Sequence, residues 1–216
     1  MLQAIAAFVE KDLAKDKTGH DFQHICRVVH LTARLADTEA LSMAEREQAL
    51  VMAYLHDSLD DKIFSNIDQK KIQIADLLGR LGMDDEAIKQ VLYVITHLSF
   101  KANLTQKHHL PLAGQIVQDA DRLDALGAVG IARACYYGGA KGQSLYDEEA
   151  PRSQAHLQAE NYRQNTTSVI NHFYEKLLHL ESLMNTPSGR QIARQRTVFM
   201  EEFLAQFYAE VDAKDL

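Results

Sequence analysis

Three prolines and ten glycines are all that punctuate 216 residues. Strands must reverse often, and tight reversals draw on those two residues, so their scarcity selects long helices over a sheet. Apolar positions recur at helical spacing from the start. Leu2, Ile5, Ala6, Val9 and Leu13 form one stripe, and that helix ends before Thr18-Gly19. A second helix runs from about Asp21 to Ala36, with His24, Val28, Leu31 and Leu35 on a single face. A histidine on that face points into the core.

Ser42-Met43-Ala44-Glu45 has the spacing of a capping box. The helix it starts carries Ala49, Met52, Ala53 and His56 on one face, with Asp57 where the chain turns. Residues 57–68 read as polar and irregular. Helices follow at about Gln69–Leu81 and Asp85–Ser99, separated by Gly82. Residues 101–110 form a connector, and Pro111 suits the first turn of the next helix, which carries Gln118 to Asp124. A short helix then reaches about Tyr137. Residues 138–161 break the pattern and read as a lid or mobile loop, since long structureless connections usually carry function or mobility. A long helix at about 165–184, ended by Asn185, and a last one at about 188–210, started by Thr186-Pro187, close the chain. No repeat or linker interrupts this order. The expectation is an all-α, single-domain helical bundle over residues 1–216, with a site-bearing metal core at about 18–130 and C-terminal helices at 165–210.

Formal charge is −7 and the sequence pI is near 5.8. An acidic surface argues against broad binding of nucleic acid or anionic membrane. No apolar run approaches the roughly 20 residues that span a bilayer. Cys26 and Cys135 are the only cysteines, expected as reduced thiols of a cytoplasmic protein. Monomer and homodimer are both compatible with the sequence.

His24, the adjacent pair His56-Asp57, and Asp121 each fall on or beside the inward face of a separate helix. Imidazole and carboxylate together suit divalent ions such as Mn2+, Fe2+, Ni2+ or Zn2+. Four such ligands leave positions on a six-coordinate ion for water and a phosphate oxygen. Spacing alone leaves a second reading open, in which both histidines are hydrogen-bonded core residues and Asp57 ends a helix.

The order H…HD…D, with Asp121 inside Asp119-Ala-Asp-Arg-Leu-Asp124, resembles the HD-domain metal-dependent phosphohydrolases, and their small stand-alone bacterial members most closely. Thr18 to Val28, His56 to Lys62, Gln118 to Gly127, Ile131 to Arg133 and Ser168 to Leu178 carry the likeness, which covers residues 18 to about 207. The resemblance implies a helical bundle with one divalent metal, Mn2+ favoured and Mg2+, Ni2+, Fe2+ or Zn2+ also suited. Its ligands would be His24, His56, Asp57 and Asp121. Asp60 and Asp61 resemble the acidic pair that helps orient water in alarmone hydrolases; a solvated acidic turn is the competing reading. Lys62, Lys101, Arg122, Arg133 and Lys176 lie beside these signatures and are candidates to hold phosphate oxygens, or to form ordinary surface ion pairs. Asp21 is either part of the site's rim, with His20, or a helix cap. His97, His108 and His109 occupy the interval where two-metal members carry extra ligands, and His172 and Tyr174 are candidates for substrate contact or packing. The implied activity is hydrolysis of a phosphoester or phosphoanhydride in a small nucleotide, nucleoside triphosphates leading and deoxy forms included. Alarmone hydrolysis and non-catalytic nucleotide sensing are the alternatives.

Overall fold

A computed structural model of the chain describes residues 1–13, 21–60, 66–99, 108–152 and 167–215. The fold is all-α, with no strand among the described residues. The chain divides into two compact units, Met1–Ala120 and Asp121–Leu216.

The first unit contains α1 (Leu2–Leu13), α2 (Phe22–Thr38), α3 (Met43–Leu55), α4 (Ile67–Arg80), α5 (Asp85–His97) and most of α6 (Leu112–Asp124). Helix α3 packs against α1, α2 and α5. Its sequence explains that position: Ala49 to Ala53 are all buried, so apolar residues face every direction and need neighbours on several sides. Ile5 and Val9 of α1, Ile25, Val28 and Leu35 of α2, and Val91 and Val94 of α5 fill the space around it.

Local caps set where these helices begin. Asp21 accepts from the His24 backbone N–H at 2.9 Å, so it is the N-cap of α2. Ser42 and Glu45 form the reciprocal capping box, and Asn66 and Asp84 cap α4 and α5.

The second unit contains α7 (Gly127–Lys141), α8 (Val169–Glu175), a 3-10 helix (Leu177–Leu183) and α9 (Pro187–Val211). Leu123, Leu126, Ile170, Phe173, Met200 and Leu204 are buried within it, and Phe173 stacks on Phe203 at 5.9 Å. Thr186 caps α9 with Pro187 in its first turn, as the sequence predicts.

Two boundaries differ from expectation. Helix α7 runs past Tyr137 to Lys141 because Gly138 is a packing residue rather than a breaker. A Cβ there would lie 2.3 Å from Val169 Cγ2, so only glycine lets α7 approach the start of α8. Gly142, at φ 66°, then ends the helix, with Gln143 N–H bonded to Gly138 O and Gly142 N–H to Gly139 O.

The long helix expected at 165–184 is instead α8 and the 3-10 helix, broken at Lys176 (φ −135°, ψ −57°). Tightening to three residues per turn aligns Leu177 with Leu180, and both are buried. Upstream, the start of α8 is tied to residues 144–152. Val169 and Ile170 N–H groups donate to Ser144 O and Leu145 O, and Asn171 Nδ2 donates to Asp147 Oδ1 and Glu149 O. Of the expected lid, residues 138–141 belong to α7 and the described residues 142–152 are fastened to α8. Residues 153–161 lie outside the described residues.

Candidate metal centre

His24 sits in the first turn of α2 and is 1% exposed; His56 follows the last residue of α3 and is 4% exposed. Their Nε2 atoms face each other at 3.1 Å, with ring centroids 5.0 Å apart and planes at 72°. Asp57 completes the group. Its Oδ2 lies 3.4 Å from His24 Nε2, and its Oδ1 lies 3.5 Å from His56 Nε2. Two successive tight turns, Ser58 N–H to Leu55 O and Asp60 N–H to Asp57 O, fold the carboxylate back beside the imidazole that precedes it.

The tautomer of His56 follows from one bond. Its Nδ1 lies 2.8 Å from Ala53 O. A carbonyl can only accept, so Nδ1 carries the proton, and the neutral ring presents a lone pair at Nε2. Backbone support of this kind is how metal-binding imidazoles are oriented. Two imidazole nitrogens and a carboxylate, all within 4.8 Å of one another, fit a divalent cation in donor chemistry and spacing. Among the described residues this is the one group of three or more such side chains with that spacing. Asp121 lies in the last turn of α6, half-buried, and belongs to the second unit.

Asp60 is half-buried just after the cluster, whereas Asp61, Lys62 and Lys101, together with His20, lie outside the described residues. Arg133 Nη1 donates to Asp124 Oδ2 at 2.7 Å, an ion pair whose carboxylate is 2% exposed. Arg122 donates to Leu183 O, and Lys176 occupies the break between α8 and the 3-10 helix. Tyr174 is half-buried; burial and the neighbouring Tyr208 push its hydroxyl above the ordinary phenol range.

Several polar contacts are not foreshadowed by the sequence. Glu175, buried, accepts from Arg152 N–H and Nε at 3.0 Å, from Arg152 Nη2 at 2.7 Å and from Thr167 Oγ1 at 3.2 Å. Gln118 Nε2 donates to Leu98 O at 2.7 Å, fastening the end of α5 to α6. His97 stacks between Tyr93 and His108, at centroid distances of 4.5 and 4.2 Å. No helical stripe encodes any of these contacts; a Gln-Asp pair buried inside an apolar helix is the one available hint.

Comparison with known proteins agrees with this architecture. A family model for the HD domain matches residues 21–126. The uncharacterized protein YpgQ of Bacillus subtilis is 34% identical over 214 residues, covering 99% of this chain and 95% of its own length. A crystal structure of a Lactobacillus plantarum protein superposes with a TM-score of 0.85 at 39% identity, over 98% of this chain and 97% of the other. YpgQ in complex with ADP superposes with a TM-score of 0.76 at 31% identity, over 98% of each chain. An HD-superfamily hydrolase from Bacillus thuringiensis gives 0.75 at 38% identity, over 98% of this chain and 97% of that one. With a matching family model and relatives this similar along nearly their whole length, the chain belongs to the HD-domain family.

Proposed function

We propose that this protein is a metal-dependent phosphohydrolase that cleaves a phosphoester or phosphoanhydride bond in a nucleotide, with nucleoside and deoxynucleoside triphosphates as leading substrates. The observation that carries this reading is the convergence of buried His24 and His56 with half-buried Asp57, the Nε2 lone pair of His56 directed into the group. The ADP complex of YpgQ supports the nucleotide part, and the similar HD-superfamily hydrolase supports the reaction class.

His24, His56 and Asp57 would hold one divalent ion, Mn2+ favoured, with the fourth position assigned to Asp121 by the family resemblance of its motif. Such an ion supplies Lewis-acid polarisation of phosphate and a lowered pKa for bound water. Asp60 or Asp61 would orient the attacking water and accept its proton. Lys62, Lys101, Arg122, Arg133 and Lys176 are the proposed holders of phosphate charge.

Metal analysis combined with a hydrolysis screen tests the reading. The screen contains nucleoside triphosphates, their deoxy forms and guanosine polyphosphates, and compares the wild type with Asp57→Ala. The expected result is stoichiometric metal and turnover in the wild type, and loss of both in Asp57→Ala. Turnover of guanosine polyphosphates alone would make the protein an alarmone hydrolase. Tight nucleotide binding without turnover would make it a sensing module.

A further inference from the structure

The Tyr93–His97–His108 stack lies at the same end of its unit as the His24–His56–Asp57 group. Helices α3 and α5 pack together, and Gln48 of α3 donates to Gln90 of α5 at 2.6 Å. The starts of both helices, at Ala44 and Glu45 and at Asp84 and Ala87, line one shallow depression. The two helices therefore run parallel. Counting forward from the Gln48–Gln90 bond, His56 and Leu98 stand at matching heights, and His97 is next to Leu98. Packed helix axes lie about 8–10 Å apart, a separation on the scale between the base of a nucleotide and its outer phosphates.

The stack is built into the fold. His97 Nδ1 donates to Tyr93 O at 2.7 Å, which orients the middle ring. Tyr93 Oη donates to His109 O at 3.3 Å, and Leu110 is buried, so residues 108–110 are docked on α5 with His108 against His97. Gln118 secures the end of α5 through Leu98 O. Successive rings are tilted by 40° and 44° and meet as rings. Tyr93 is 41% exposed and His97 and His108 are half-buried, so the rings form an edge of the unit. Flat π surfaces at such an edge hold bases by stacking, with little regard to which base is present.

We propose that Tyr93, His97 and His108 form a platform that stacks the base of a nucleotide whose phosphates lie at the His24–His56–Asp57 group. The proposal rests on the nucleotide reading above and deepens it. The platform supplies affinity for the base; the three-residue group supplies metal and phosphate contacts. Removing a ring should weaken nucleotides and spare a phosphate chain that has no base.

Calorimetry on the Mn2+-loaded protein tests this with ADP and inorganic tripolyphosphate as probes. His108→Ala and Tyr93→Ala should each weaken ADP about tenfold, within the range that base–aromatic stacking supports. Tripolyphosphate affinity and metal content should not change. His108→Phe and Tyr93→Phe keep a ring and should retain most of the ADP affinity, which separates loss of stacking from loss of folding. Unchanged ADP binding in the alanine variants would overturn the platform, as would an equal loss for both probes. A second bound ion that disappears in His108→Ala would also overturn it, by making the pair metal ligands. Absence of hydrolysis in a wild type that still shows this binding pattern defeats the proposed reaction and leaves the platform standing.

Discussion

The Nε2 atoms of His24 and His56 approach to 3.1 Å while His56 Nδ1 is committed to Ala53 O. His56 therefore presents to His24 the ring nitrogen that can ligate. A cation at this point would replace an imidazole–imidazole contact with two coordinate bonds and a nearby carboxylate.

The first prediction concerns metal and stability together. An ion that binds only the folded protein stabilises it by about 2.7 kcal/mol at a hundredfold excess over Kd. For a chain of this length that corresponds to a rise of roughly 5–10 °C in Tm. Mn2+ should produce this shift in the wild type and chelator should reverse it. His56→Ala, Asp57→Ala and Asp121→Ala should lose most of it. Scanning calorimetry with and without Mn2+ decides the matter. An undiminished shift in Asp121→Ala would remove that residue from the ligand set.

A second prediction follows from Arg152 and Glu175. Burial alone would raise the Glu175 carboxyl, but the hydrogen bonds and charge of Arg152, with help from Thr167, hold it below its ordinary value of 4.5. The folded state therefore favours the ionised form. This stabilisation is present above pH 4.5 and disappears as pH falls through the lower folded value. Glu175→Gln should cost stability at neutral pH, and the gap to wild type should narrow in acid. Arg152→Ala should destabilise by about 2 kcal/mol, less than the full loss of a buried pair because the Thr167 hydroxyl remains. Urea titrations at about pH 7 and about pH 4 measure both effects; a gap that widens in acid would reverse the sign assigned to Glu175.

Local rules make most of the helices legible in the sequence. Asp21, Ser42 and Thr186 bond to backbone within three residues, so their caps are written in short stretches of chain. The burial of His24 and the inward position of His56 follow from helical periodicity. What escapes such a reading is set by partners distant in sequence. Glu175 depends on Arg152 and His97 on His108, and no periodicity links either pair. The break at Lys176 is hidden because Leu177 and Leu180 fit an α-helical stripe and a 3-10 turn equally well. Gly138 misleads because a glycine needed for close packing looks the same in sequence as one that ends a helix.

The turn between α6 and α7 gives a third prediction. A Cβ on Gly130 would lie 2.2 Å from the Ala125 carbonyl oxygen and 2.4 Å from its carbon. Both obstacles are backbone, so no side chain can swing aside. Gly130→Ala should destabilise by about 3 kcal/mol, at the upper end for a single added methyl group. Arg196 caps this region from α9 by donating to Leu123 O, so amide exchange in α9 should quicken along with α7. Wild-type stability in Gly130→Ala would show that the turn is adjustable.

Ala40 gives the last prediction, in the opposite direction. It follows α2 at φ 55°, with Leu41 N–H bonded to Ala36 O and Ala40 N–H to Asp37 O. This is the arrangement in which α4 and α7 end on Gly82 and Gly142, both at positive φ. An alanine in the left-handed region brings its Cβ against the following carbonyl at a cost of about 1 kcal/mol. Ala40→Gly removes that strain, while the added freedom of the unfolded chain returns part of the gain. The net expectation is stabilisation of about 0.5 kcal/mol, read as a higher urea midpoint with an unchanged slope. The substitution touches neither the histidine cluster nor the ring stack, so Mn2+ and ADP binding should match wild type. A lower midpoint would mean that Ala40 makes contacts worth more than its backbone strain.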